Sequence, residues 1–366
     1  MDSHENLILN YWVATTKGLG YIKARKLEEN VAPLKELFYD HALIKNSKIR
    51  LKEDTKDELI RRADEKMLRS ELNALYKNGI RVTSYNDEDY PSLLSEIHDP
   101  PLVLYYRGDL KKLSRFRLAV VGTRNPSYSG GENTARLCEE LSRSGVSIIS
   151  GMARGIDSIA AEAALRGGTP TAAVLGSGID VPYPKSNEKL YREIIKNGVV
   201  ISEYPPGTPP TPEHFPQRNR IISGMSSAVF ITEGKIRSGG AITVRNALEQ
   251  NRDVYALPGD ISNPLSELPN SLIADGAAVV LRSEDILDGM GLNAAAPVFN
   301  ENSDIKLDFS EQRLYTLLKQ GELSADKLSE LSGMDISKTM LTLTMLEIKK
   351  AVKRLPGNLF AINRSK

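Results

Sequence analysis

The sequence predicts an α/β chain built on a doubly wound, mostly parallel sheet. Three observations carry that expectation. From about residue 117 to about 290, short apolar runs alternate with amphipathic segments. The runs are largely β-branched and lack polar alternation, so their strands are covered on both faces. The intervening segments have helical spacing and stop on glycine, as GENTARLCEELSRSG does at Gly145. Strands apolar on both faces and separated by helices belong to parallel sheets.

In chain order, residues 1–75 form a small helical domain. Apolar positions recur there at helical spacing, and Gly18-Leu19-Gly20 interrupts them as a turn before IKARKLEEN. Two readings of that turn stand. One is a helix-hairpin-helix or SAM-like element whose backbone N–H groups face a phosphate; the other is a plain connection in a small bundle. The sheet domain spans 80–291. Its strands are LAVVG (118–122), VSIISG (146–151), TAAVLG (171–176), VVISE (199–203), AVFITEG (228–234), DVYALPG (253–259) and AAVVL (277–281). DSIAAEAALRGG, NEKLYREIIKNG and AITVRNALEQNR are the clearest helices between them. Residues 292–304 lose all periodicity and read as a linker. In 305–366, three helical stretches precede VKRLPGNLFAI, a hairpin with Pro-Gly-Asn at its tip, which is a winged-helix pattern. Met340, Leu343 and Leu346 face its core. Lys338, Lys349, Lys350, Lys353 and Arg354 lie where such a domain meets DNA, or else form the solvated face of a protein-binding or regulatory module.

At 366 residues the chain exceeds one ordinary domain. No apolar run reaches the length of a membrane span, and the N-terminus lacks the basic start of a signal peptide, so a cytoplasmic protein without membrane contact is expected. One cysteine, Cys138, and four scattered histidines give neither a disulfide nor a metal site. A net charge of +1 leaves the nucleic-acid question to local charge.

The first βα turn, VVGTRNPSYSGGENTA, is where such sheets bind phosphate. Gly122, Gly130 and Gly131 miss the dinucleotide spacing, and no lysine completes a Walker loop. Arg124 stands where a glycine would admit a pyrophosphate. Beside the Thr123 and Ser127 hydroxyls, it suits a nucleic-acid phosphate better than a buried cofactor, with a surface ion pair as the alternative. In SGMARGID (150–157), Arg154 points into the same crevice and Asp157 is placed as an N-cap. In EHFPQRNRIISGMS (213–226), Phe215 precedes a helix whose first turn holds Arg218, Asn219 and Arg220. Cations at a helix N-terminus oppose the macrodipole unless an anion offsets them. An aromatic beside clustered arginines is how single strands are held, base on ring and phosphate on guanidinium. The alternative pairs Arg218 and Arg220 with Glu203 and Glu233. Ser238, Gly239 and Gly240 open a further helix as an anion-binding turn.

VVGTRNPS, SGMARGID, FPQRNRIISGMS, SGGAIT and VYALPG, in this order and after YPSLLSEIHDPPLVLYYRG, resemble the DNA-processing protein A (DprA/Smf) family over residues 80–290. The resemblance implies an extended Rossmann-like core and a non-enzymatic protein without cofactor. It implies one that binds single-stranded DNA, forms homodimers and helps load a RecA-type recombinase in natural transformation. The family's phosphate motif is met by Gly122, Thr123, Arg124 and Ser127, and its aromatic-plus-arginine element by Phe215, Arg218 and Arg220. Pairing is expected at the end of the sheet, near Asn270, Leu272 and Ile273. Ser129, Ala161 and Leu268 depart from the family, which more often has tyrosine, histidine and glycine there. The rival reading is a nucleotide phosphoribohydrolase of the lysine-decarboxylase-like type. Its P-G-G-x-G-T-x-x-E turn would need a carboxylate, but SGGAIT is followed by Val244 and Arg245. A nicotinamide-dependent dehydrogenase lacks its glycine fingerprint here.

Overall fold

A computed structural model of the chain describes residues 3–292, 308–318, 321–349, 351–355 and 359–362. The linker expected over 292–304, the Pro-Gly-Asn tip and Lys350 lie, apart from residue 292, outside the described residues. The chain divides into two compact units, 1–294 and 295–366.

The first unit is organised by a nine-stranded sheet. Its strands are β1 (Arg81–Ser84), β2 (Val103–Gly108), β3 (Arg117–Val121), β4 (Ser147–Ser150), β5 (Ala172–Leu175), β6 (Val199–Ser202), β7 (Ala228–Ile231), β8 (Asp253–Ala256) and β9 (Ala278–Val279). They lie in the order β1-β2-β6-β5-β4-β3-β7-β8-β9. From β6 to β9 every pairing is parallel, whereas β2 runs antiparallel to β6 and β1 antiparallel to β2. All seven apolar runs are strands. The antiparallel pair adds two that the sequence reading passed over.

The connecting helices are α7 (Ser92–Ser95), α8 (Tyr128–Arg143), α9 (Ile156–Gly167), α10 (Glu188–Asn197), α11 (His214–Gly224), α12 (Gly239–Glu249), α13 (Glu267–Ala274) and α14 (Ser283–Gly289). Alternate residues of each strand enter different cores, because successive side chains point to opposite faces. Leu118 and Val120 of β3 pack with Leu137, Leu141, Ile156 and Ile286 of α8, α9 and α14. Ala119 and Val121 pack with Ile221, Ile222, Val244 and Leu268 of α11, α12 and α13.

Six helices precede the sheet: α1 (Ser3–Ala14), α2 (Tyr21–Asn30), α3 (Leu34–Tyr39), α4 (His41–Lys45), α5 (Glu53–Arg62) and α6 (Glu65–Lys77). The glycine turn joins α1 to α2, with Gly18 at φ +81°. Trp12 of α1 is fully buried, and its indole N–H donates to Leu59 O at 2.8 Å. The helical core is continuous with the sheet: Leu37, Leu59 and Leu68 belong to one apolar cluster with Val103, Tyr105, Leu175 and Ile194.

The second unit is a winged helix. It comprises α15 (Phe309–Leu318), β10 (Leu323–Ser324), α16 (Ala325–Ser332), α17 (Ile336–Ile348), β11 (Val352–Leu355) and β12 (Leu359–Ile362). The strands pair as β10-β12-β11. Leu343 and Leu346 are fully buried with Leu314, Leu328 and Phe360, and Met340 packs against them. Among the cations expected on a DNA face, Lys349 lies 2.6 Å from Glu311 and Arg354 stacks over Phe360. Leu341 and Met345 are exposed on α17.

Candidate nucleic-acid interface

Strand β3 leads to β4, β5 and β6 on one side and neighbours β7, β8 and β9 on the other. The strand order therefore reverses between β3 and β7, and a crevice opens beyond their carboxyl ends. The loops after β3, β4 and β7 interlock there. Thr123 N donates to Glu233 O at 2.8 Å, and Ile156 N donates to Thr123 O at 3.1 Å. Gly155 has φ +78°, and a Cβ on it would lie 2.4 Å from Thr123 O, so only glycine lets the two loops meet. The contact brings the backbones of Arg124 and Arg154 side by side. Both arginines are exposed, and neither has a carboxylate partner among the described residues.

Phe215 is half-buried, with its ring against the backbone of Gly176 at the end of β5. The Arg124 guanidinium lies 5.8 Å from its ring centroid, within cation–π range. Tyr183, 43% exposed, tilts against the same ring with centroids 5.4 Å apart. The ring thus meets Arg124, not the Arg218 and Arg220 expected beside it, and gains a second ring. Sequence reasoning missed Tyr183, although an aromatic beside a proline in a loop beyond a strand's carboxyl end was a signal. It also missed Lys185, Lys235 and Arg237, exposed cations in the loops after β5 and β7. Tyr128, at the start of α8, is 86% exposed.

Other expected residues take different positions. Helix α11 begins at His214, which puts Arg218 and Arg220 in its second turn rather than its first. The macrodipole argument therefore does not apply to them, and their charges are met from inside. Arg218 is 5% exposed; its guanidinium donates to Gly151 O at 2.9 Å and to Val174 O, capping the ends of β4 and β5. Burial pushes its pKa down to about 10, while Asp157 favours its charge. Asp157 is not an N-cap. Gly155 holds that position in α9, and the Asp157 carboxylate accepts Gly151 N at 3.2 Å. Burial raises the Asp157 pKa, with Arg218 pulling the other way. Arg220 pairs with Glu203 at 2.7 Å and Asp99 at 3.5 Å. Burial opposes its charge, yet these two carboxylates hold its pKa above the ordinary value.

Asn219 is buried and joins α11 to α12, its Nδ2 donating to Gly239 O at 3.2 Å. Ser238 caps α12 by accepting Ala241 N at 3.4 Å, and Gly239 is exposed. Gly240 is buried, where a Cβ would crowd Ile231. Gly122 packs against Ile156 and Glu233 with no room for a side chain. Ser127 is not free to greet a ligand: it donates from N and Oγ to Glu233, at 2.8 and 2.5 Å. Asn270 ties α13 to Gly259, while Leu272 and Ile273 are half-buried against their own core.

Among the described residues no helix is long and apolar enough to cross a membrane. None of their His, Cys, Asp or Glu side chains form a group of three or more suited to a metal. Cys138 is buried, which pushes its thiol up to about 12.

Comparison with known proteins agrees with this architecture. The family profile described as DNA recombination-mediator protein A matches residues 81–291, and that of the DprA winged helix domain matches 301–358. Protein Smf of Escherichia coli (strain K12) is 37% identical over 310 residues, 82% of each chain. DNA processing protein DprA of Streptococcus pneumoniae is 45% identical over 201 residues, 55% of this chain and 71% of that one. The X-ray structure of the Streptococcus pneumoniae protein gives a TM-score of 0.66 at 36% identity, covering 77% of this chain and 96% of that one. A Helicobacter pylori structure, titled for the single-stranded DNA binding mode of its DNA processing protein A, gives 0.53 at 29% identity, covering 58% and 96%. With the fold, the switch-point crevice and both family profiles in agreement, the chain belongs to the DNA recombination-mediator protein A family.

Proposed function

We propose that the chain is a single-stranded-DNA-binding recombination mediator rather than an enzyme. It holds a strand across the crevice and presents it to a RecA-type recombinase in the cytoplasm during natural transformation. One observation carries the reading: exposed Arg124 lies over the ring of Phe215, itself flanked by Tyr183, and neighbouring loops add further exposed cations. A ring takes a base and a guanidinium a phosphate without selecting sequence. Arg124, Arg154, Lys185, Lys235 and Arg237 contact the strand. Arg218, Arg220, Asn219 and Ser127 hold the loops that display them. A binding role is further supported by the burial of Asp157 and Glu233, both hydrogen-bonded within the fold and badly placed for general acid–base work.

Fluorescence anisotropy with labelled oligo-dT and the matching duplex, over a salt series, tests this. The single strand should bind more tightly, and Arg124→Ala should reduce the log–log salt slope by about 0.7, the share of one phosphate contact. An Arg124→Ala variant with unchanged slope and affinity would remove this residue from the interface.

A single crevice gives a short footprint, and a homodimer would join two. The sheet ends at β9, where Val279 is 41% and Leu281 69% exposed. Beside them, Leu272 and Ile273 lean on their own core, so the outward apolar residues make the seam and α13 supports it. Leu281→Glu should yield a folded monomer, by light scattering and circular dichroism, that binds oligo-dT more weakly. Wild-type protein that is monomeric at micromolar concentration would sink the dimer.

A further inference from the structure

A doubly wound sheet ordinarily leaves the N-terminus of its first crossover helix open to a phosphate, met by backbone N–H groups and the positive end of the helix dipole. Here the place is filled from within. Glu233, the second residue after β7, is 5% exposed and turns its carboxylate into the start of α8. Ser127 N donates to one oxygen at 2.8 Å, Ser127 Oγ to the other at 2.5 Å, and Asn263 Nδ2 approaches that second oxygen at 3.5 Å. Gly130 makes room, since a Cβ there would lie 2.2 Å from the carboxylate carbon. A cluster of donors, a helix start and a glycine that permits close approach are the parts of a phosphate site. The anion they hold is part of the chain.

We propose that Glu233 is a built-in anion that closes the α8 phosphate niche, and so determines that this sheet takes a polynucleotide along its rim rather than a free nucleotide. Tethering supplies the carboxylate without the translational entropy that a free anion must lose. Its negative charge then repels any second anion from the niche. Phosphates are left to the exposed cations of the rim, which suit consecutive phosphates of a strand and leave a lone nucleotide with no enclosed seat. The specificity role rests on the strand-binding reading, but the niche itself is tested without DNA.

The test compares full-length wild type, Glu233→Ala and Glu233→Gln by thermal melting in sodium chloride, acetate or inorganic phosphate at matched ionic strength. The alanine variant should melt below wild type and regain several degrees in acetate or phosphate beyond the effect of chloride, because an anion that binds only the folded state stabilises it. Glutamine keeps the niche filled, so that variant and wild type should respond no more than to chloride. In isothermal calorimetry, ADP should give heat of binding with Glu233→Ala alone. No selective response of the alanine variant, or an equal response of the wild type, overturns the proposal. If the alanine variant is not recovered folded, refolding in acetate or phosphate but not chloride supports the proposal, and failure in all three overturns it. Loss of oligo-dT binding by wild type would sink the strand reading while leaving the niche result standing.

Discussion

Replacing Arg218 by methionine should destabilise the fold by about 3–5 kcal/mol, the usual cost of removing one partner from a buried charged arrangement. The guanidinium joins the carbonyls of Gly151 and Val174 and offsets the buried Asp157 carboxylate. Its loss leaves both carbonyls without that donor and the Asp157 carboxylate without its neighbouring cation, in a place water does not reach. The penalty depends on pH. Burial already raises the Asp157 pKa, and removing Arg218 raises it further. A carboxyl raised in the fold favours folding below its unfolded value, and that contribution is lost as pH rises through the folded value. The deficit of the variant should therefore be largest near neutrality and shrink as pH falls toward the carboxylate range. Urea denaturation from pH 7 downward measures it. Parallel curves at all pH values would mean that Asp157 does not depend on Arg218.

Phe215→Ala should weaken oligo-dT binding by about 1–3 kcal/mol, the contribution of one base stacked on a ring. The ring is only half-buried, so the variant should melt close to wild type. Arg124 rests over this ring, and truncating either residue disturbs what the other offers. Phe215→Ala and Arg124→Ala should therefore combine to less than the sum of their separate effects, by 0.5 kcal/mol or more on the order typical of residues in contact. Full additivity would place the two on separate parts of the strand. A Phe215→Ala protein that binds normally would show that no base stacks there.

Much of this protein was legible in its sequence because six of the seven strands it marks, β3 to β8, lie inside the sheet and carry apolar residues on both faces. β1 and β2 were harder. The first is RVTS and the second VLYYRG, and neither stands in the strand–helix alternation that marks a parallel sheet. The exposed half of the crevice was also legible: Arg124 and Arg154 sit in turns that a strand must feed into a helix, and Phe215 at the start of α11. The buried half was not. A sequence does not show whether a guanidinium meets solvent or a carbonyl, and the acceptors of Arg218 lie 67 and 44 residues away along the chain. Glu233 was considered as a partner for Arg218 or Arg220. Its true partner, Ser127, is 106 residues upstream, and only the parallel pairing of β3 with β7 brings them together.

The two ends of the sheet differ in a way that bears on the proposed homodimer. At one end Val82, Thr83 and Ser84 of β1 are buried, so that a second chain finds no open strand to align with. At the other, both residues of β9 face solvent. Strand addition needs an accessible edge on each participant. With one such edge per sheet, the proposed homodimer would use up both, and growth along the sheet would stop at a pair related by a two-fold axis.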